Sequence, residues 1–398
     1  MRFMNTPALH GREQAPFLLL VALTACGTLG MHVIIPALPA TARAMDISIS
    51  TVQLTITLYL IGLSIGQLLY GPVSDRFGRR PVLLVGMALF TVASTVTAFA
   101  PNAAVLIGAR IVQSIGGCSG LVLGRAAVRD SATPERAAGR LAMLTLVMSM
   151  VPAIAPAIGG YVTAYLHWRA SYVLLAVIGG VTLLATVLIL PETNKARASE
   201  IGTSLWFGYI RLLRSRAFCG YAIGGACSTT SFYAFMAAAP FIFEYHLHRP
   251  TQEVGLYYLI LMVGVALGSF IASRLSRKVH LRTGLMIANG VAICGAAAFT
   301  LGDAMGWLTV PVVVGTVAFF MVGAGMASPF ALAGSVSVNP QGIGAASGLY
   351  GFIQMGYGML CTIVVEVWSP GAVYPVATVL LGSALVGFVA VQLAARRS

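Results

Sequence analysis

GPVSDRFGRR, the stretch Gly71–Arg80, decides how this chain is read. It places Asp75, Arg76, Arg79 and Arg80 between two long apolar runs, with Gly71 and Gly78 framing the first two charges. A fainter copy, SFIASRLSRK (Ser269–Lys278), follows a later apolar run. Arg76 then matches Arg274 and Arg79 matches Arg277, at an offset of 198 residues. An echo at that distance divides the 398-residue chain into two related halves.

The runs on either side of these turns set the solvent. Charged residues make up 9% of the chain and apolar residues 58%, where soluble domains carry about 25% and about 45–50%. Apolar runs recur at about 20 residues or more, enough to cross a hydrocarbon core of about 30 Å as helix. Lipid offers no partner for a free backbone group, so only helices or closed barrels span it. Barrel strands alternate apolar and polar residues, and these runs are apolar throughout. The prediction is an all-α integral membrane protein with spans at 16–40, 51–73, 82–100, 103–125, 140–164, 170–190, 217–243, 253–273, 283–302, 307–330, 343–365 and 371–393. The first run is too long, and too like the others, for a cleaved signal peptide. The longest non-apolar stretch, 191–216, separates two six-span halves, 1–190 and 217–398. Paired halves are the common construction of secondary transporters, with the site between them near the midplane.

The net charge of +13 does not point to nucleic acid, because the basic residues cluster in short turns between spans. Of the 24 Lys and Arg, alternate assignment of the loops puts 20 on one side. Arg43, Arg169 and Arg249 fall on the other, and Arg110 lies within a span. By the positive-inside rule both termini are expected in the cytoplasm. The six cysteines lie in apolar segments without C-x-x-C spacing, so no metal site or disulfide framework is expected. No G-x-x-x-x-G-K-[ST] loop is present, which excludes direct drive by ATP at such a site.

Gly71, Asp75, Arg76, Gly78, Arg79 and Arg80 resemble the loop 2–3 signature of the major facilitator superfamily, and stand at that family's position after the second span. The resemblance implies that Asp75 faces the start of span eleven near Gly342 and Gly344, where a helix dipole favours a carboxylate. It also implies that Arg79 reaches Asp130. A solvated basic turn would explain the arginines, but not Asp75 or the glycines. Leu106, Arg110, Gln113 and Gly116 resemble the family's span-four signature, with Ser114 where glycine is common. Pro156, Gly159 and Gly160 resemble the antiporter signature of span five, with Ala155 replacing its first glycine.

Ile35–Pro39, Arg129-Asp130, Trp168-Arg169, Pro191–Thr193 and Gly344–Gly348 extend the likeness. They are similar to the Bcr/CflA-like (bicyclomycin/chloramphenicol resistance) branch of twelve-span drug/proton antiporters. That branch often carries aspartate in span one, before the Pro-Ala-Leu-Pro stretch; here His32 stands four residues before Pro36. All 11 acidic residues, Glu366 among them, fall in loops or at predicted helix ends, so no carboxylate is expected at the membrane centre. His32 and Arg110 are the intramembrane ionisable residues, and such residues are functional candidates because charge in a bilayer is costly. The alternative is a neutral His32 bonded between helices and an Arg110 that holds backbone carbonyls.

Gln67, Gln113, Gln354, Phe232, Tyr233, Phe235, Tyr257, Tyr258 and Tyr350 are candidates for a central cavity, against ordinary packing or lipid contact for each. A cavity so lined suits an amphipathic, largely uncharged small molecule. The resemblance implies proton-coupled efflux of drug-like molecules across a bacterial inner membrane, by a monomer that uses the proton gradient and no cofactor. The alternative is a transporter specific for a sugar, amino-acid derivative or other metabolite. No enzymatic constellation is found.

Overall fold

The computed structural model describes residues 16–131, 134–194, 203–339 and 343–394. Among the described residues, twelve helices are long and apolar enough to cross a membrane. They are Phe17–Met45, Ile49–Phe77, Arg79–Ala98, Ala103–Ser131, Gly139–Tyr165 and Trp168–Ile189, then Arg216–His246, Gln252–Leu275, Leu281–Ala304, Val310–Ser337, Gly344–Trp368 and Val373–Leu393, hereafter spans 1 to 12. The predicted runs match them one for one, but several helices continue past the apolar limit. Span 2 carries Asp75 and Arg76 inside it, and span 4 carries Arg125, Arg129 and Asp130. Backbone hydrogen bonding does not stop where hydropathy does. Gly78 stops span 2, at φ 96°, a conformation that costs any L-residue strain.

The stretch read as a linker contains a helix of its own, Thr203–Arg214. Its arginines masked it in a hydropathy reading, while Leu212 is buried.

The packing repeats between the halves. Span 4 touches spans 1, 2 and 3, and span 10 touches spans 7, 8 and 9 in the same way. Span 3 packs on span 6 as span 9 packs on span 12. Between the halves the major contacts are span 2 with span 11 and span 5 with span 8. Exchanging the halves turns one of these pairs into the other, which is what a pseudo-twofold axis requires.

Prolines bend the spans where the halves meet. Pro36 and Pro39 turn span 1 through a 3-10 segment at Ile35–Ala37. Pro240 in span 7 has no N–H for the carbonyl of Met236. The Tyr258 hydroxyl of span 8 donates to that carbonyl at 3.0 Å, so the bend leaves no unsatisfied oxygen there.

Candidate functional site

A cavity of about 720 Å³ opens between the halves at the end carrying the arginine-rich turns, the basic end. Its walls come from spans 1, 2, 4, 5, 10 and 11 and the first residue of span 3, with Tyr209 of the intervening helix. Gln67, Tyr350 and Gln354 lie at its inner part, and Asp75, Arg79, Arg125, Arg129 and Gly344 towards its mouth. Asp75 is the sole carboxylate among the described lining residues. It is held by Arg79 at 2.6 Å, so the field inside is cationic.

The opposite end is sealed. Arg43 of span 1 pairs with Glu244 of span 7. Gln53 donates to the carbonyl of Ala237 at 3.2 Å. Thr57 of span 2 meets Thr362 at 2.8 Å and also bonds Glu366, both on span 11. A β-carbon on Gly255 of span 8 would stand 2.6 Å from the carbonyl oxygen of Pro156 in span 5. At the cavity's apex Ser64 donates to the Phe352 carbonyl at 3.0 Å. Both interfacial helix pairs therefore touch at this end and part at the basic end.

Arg79 is buried and binds Ser74, Asp75 and, at 3.1 Å, Asp130. The Arg79–Asp130 contact is the one the sequence resemblance implied. Asp75 has no partner on span 11 among the described residues, although Gly344 lines the same cavity; Gly342 lies outside the described residues. Gly71 makes no close approach either, since nothing lies within 4 Å of a β-carbon placed there. Arg76 is exposed and stacks over Phe77 at 5.3 Å. Arg80 donates to the carbonyl of Val187 at 2.8 Å, near the end of span 6.

Glu192 completes this cluster. Its carboxylate accepts from the amides of Arg79 at 2.9 Å and Arg80 at 3.1 Å. It thereby satisfies two of the free donors at the start of span 3, where negative charge is favoured. Asn194 adds a 3.1 Å bond to the carbonyl of Asp75. Neither role was visible in the sequence, because Glu192 is 113 residues from Arg79.

Arg110 is fully buried and joins three spans. Its guanidinium donates to the carbonyl of Gly30 at 2.7 Å, to that of Thr55 at 3.4 Å and to Gln113 at 2.5 Å. It also covers the Tyr59 ring at 4.1 Å. Gln113 passes the chain on to Ser94 of span 3 at 2.6 Å. Nη2 is buried without a partner among the described residues. Neither Arg110 nor Gln113 is among the cavity's lining residues. His32 is buried, and its Nδ1 donates to Thr28 on its own helix at 2.8 Å. The interhelical bond considered for it is absent among the described residues; Nε2 is unbonded there.

The other sequence candidates separate. Phe232 and Phe235 stack on each other, and Phe235 also meets Phe299, inside the C-terminal half. Tyr233 packs against Gly358. Tyr257 bonds Glu253 at 2.5 Å, near the sealed end. These four line no part of the cavity described. In span 5, Pro156, Gly159 and Gly160 are buried. Pro156 meets span 8 and Gly159 meets span 1.

Glu366 does stand near a helix end, but it is only 6% exposed and is enclosed between the halves. The end of span 11 is covered there by span 2, which sequence position alone does not reveal.

The sequence matches the family model described as Major Facilitator Superfamily over residues 20–362. The chain is similar to the chloramphenicol resistance protein of Pseudomonas aeruginosa, 31% identical over 92% of this chain and 89% of that one. It is also similar to multidrug resistance protein D of Escherichia coli (strain K12), 30% identical over 351 residues and 87% of each chain. Among solved structures, a D-xylose-proton symporter superposes with a TM-score of 0.71 at 17% identity, covering 96% of this chain and 97% of that one. That likeness concerns the fold.

Proposed function

The chain belongs to the major facilitator superfamily, and from that premise we propose that it exports drug-like small molecules in exchange for protons by alternating access. The basic end lies in the cytoplasm of this reading and the sealed end faces outward across the inner membrane, as the positive-inside rule requires. The observation that carries it is the cavity of about 720 Å³, closed at one end by contacts between the halves and lined at the other by Asp75, Arg129 and Gly344. This is a state that accepts solute from the cytoplasm. The named relatives that confer resistance support outward movement.

Rocking the halves about spans 2 and 11 and spans 5 and 8 would open the outer side. It would bring Asp75 towards the start of span 11, where the helix dipole holds a carboxylate. The outward-facing state is thereby stabilised at its cytoplasmic face. The cavity offers apolar wall, two glutamines, Tyr350 and an excess of arginine over carboxylate. It suits neutral or anionic amphipathic solutes and disfavours dications. The protein works as a monomer, since the cavity is complete within one chain. His32 is the candidate for carrying the proton at the membrane centre, and its Nε2 is the atom open to protonation.

A panel of inhibitory compounds on an efflux-deficient bacterium, with and without the protein, tests the substrate reading. Protection against several unrelated neutral compounds is expected. No protection, with one metabolite accumulating outside, would replace drug export by metabolite export. In proteoliposomes under an imposed pH gradient, His32→Asn is expected to lose uphill accumulation and keep downhill exchange. Unchanged accumulation and pH dependence would return His32 to a packing role.

A further inference from the structure

Glu366 is the buried carboxylate that the chemistry above leaves unused. It is 6% exposed, and no ion pair to it occurs among the described residues. Charged and titratable groups at the same end of the molecule are otherwise engaged. Glu244 of span 7 is paired with Arg43, His246 bonds the carbonyl of Gly371 at 3.1 Å, and Tyr374 of span 12 packs edge-on against Trp368. From span 2 the hydroxyl of Thr57 bonds it.

Glu366 touches the Thr57 oxygen, Thr57 touches the Thr362 oxygen at 2.8 Å, and Thr362 touches the carbonyl of Met359 at 2.8 Å. These are three hydrogen bonds, and two hydroxyls supply one hydrogen each. A carbonyl only accepts, so the Thr362 hydrogen lies on Met359 and the Thr57 hydrogen lies on Thr362. The remaining contact, between Thr57 and Glu366, then takes its hydrogen from the carboxyl group. An ionised Glu366 would leave one contact between two bare oxygen lone pairs, and would bury a charge with no cation beside it.

We infer that Glu366 is a proton-binding site of the outer gate: with the proton on, it donates to Thr57 and ties span 11 to span 2. Without the proton the carboxylate seeks water, and the gate parts. The proton enters from outer water while that side is open and returns to it when the gate reopens. This site biases the alternation by external pH, and carriage across the membrane is a separate step. The inference rests on the proposed orientation and deepens the proton-coupled reading. An acidic exterior drives the emptied exporter back towards the cytoplasm, the direction that antiport needs.

The closed gate binds one more proton than the open gate, so raising pH favours opening, by at most about tenfold per pH unit for one proton. The test uses the full-length protein in nanodiscs, with native cysteines replaced and spin labels at Ala44 and Ser369, near the outer ends of spans 1 and 11. Label distances are read from about pH 5.5 to about pH 8.5, on either side of neutral. The parent is expected to gain an open population with rising pH. Glu366→Gln, whose amide donates as the protonated acid does, is expected to stay closed throughout. Thr57→Val, which removes the partner, is expected to be open at a lower pH than the parent.

An unresponsive parent, a Glu366→Gln protein that opens like the parent, or one that stands open at every pH, would each overturn the assignment. The distance measurement uses neither substrate nor gradient. Failure of proton-driven accumulation in proteoliposomes would therefore overturn the antiport reading while leaving the gate site to stand or fall by itself.

Discussion

Gly159 of span 5 lies so close to Val33 of span 1 that a β-carbon at 159 would stand 1.8 Å from the Val33 carbonyl oxygen. The contact is backbone to backbone, directly beside the proline turn of span 1, so neither side can swing away. Gly351 of span 11 looks tighter still, at 1.5 Å from Gln67 Oε1. There the obstacle is the far end of a flexible side chain. Gly159→Ala should therefore destabilise the protein by about 1–3 kcal/mol, the usual cost of overpacking. Gly351→Ala should cost much less and act mainly by pushing Gln67 into the cavity, raising the substrate KM. Thermal unfolding in detergent, read beside transport kinetics, separates the two.

Asp75 touches Arg79 in the state whose cavity opens at the basic end. In the proposed cycle its carboxylate reaches the start of span 11 when that end closes. Asp75→Asn should shift the equilibrium towards the cytoplasm-open state by about two- to fivefold, corresponding to about 0.3–1 kcal/mol for a charge at a helix start. Transport should slow, and an engineered cysteine at Thr145, in the cavity wall, should react faster with a soluble maleimide. Unchanged turnover and labelling would leave the motif as a topology signal.

Arg110→Lys keeps the charge and loses the planar fork that reaches Gly30, Thr55 and Gln113 together. At least one buried acceptor is left unmet, a loss of about 1–3 kcal/mol. Because Arg110 lies outside the cavity wall, the variant should lose thermal stability and kcat with little change in the substrate KM. A selective rise in KM would place Arg110 in contact with substrate.

Arg125 faces the cavity without an ion-pair partner among the described residues. Arg125→Gln removes the charge that repels cationic solutes and attracts anionic ones. Competition assays with matched cationic, neutral and anionic dyes should show cation transport rising and anion transport falling, with the neutral dye little changed. Equal effects on all three would assign Arg125 to packing.

Much of the architecture was legible in composition and spacing. The bilayer's thickness sets a minimum apolar run for each span, so twelve runs reported twelve helices. The echo between Arg76 and Arg274 likewise anticipated the packing repeat seen in spans 2 and 8. The bond from Arg79 to Asp130 could be expected because the motif's position after span 2 carries a recognisable arrangement with it. The helix Thr203–Arg214 was hidden, because an amphipathic segment on the surface of a bundle leaves no run of apolar residues.

What tertiary structure alone decided is which side chains leave water together. Phe232 and Phe235 are the same kind of residue as Tyr350 in a one-dimensional reading, yet the roll of span 7 buries them in its own half while Tyr350 meets the cavity. Glu366 stands two residues before the end of its helix, where a chain by itself would leave a carboxylate hydrated. Only the approach of span 2, bringing Thr57 from 309 residues away, removes that water. Burial there is a property of two packed surfaces, and neither surface is written at the position of the residue that it encloses.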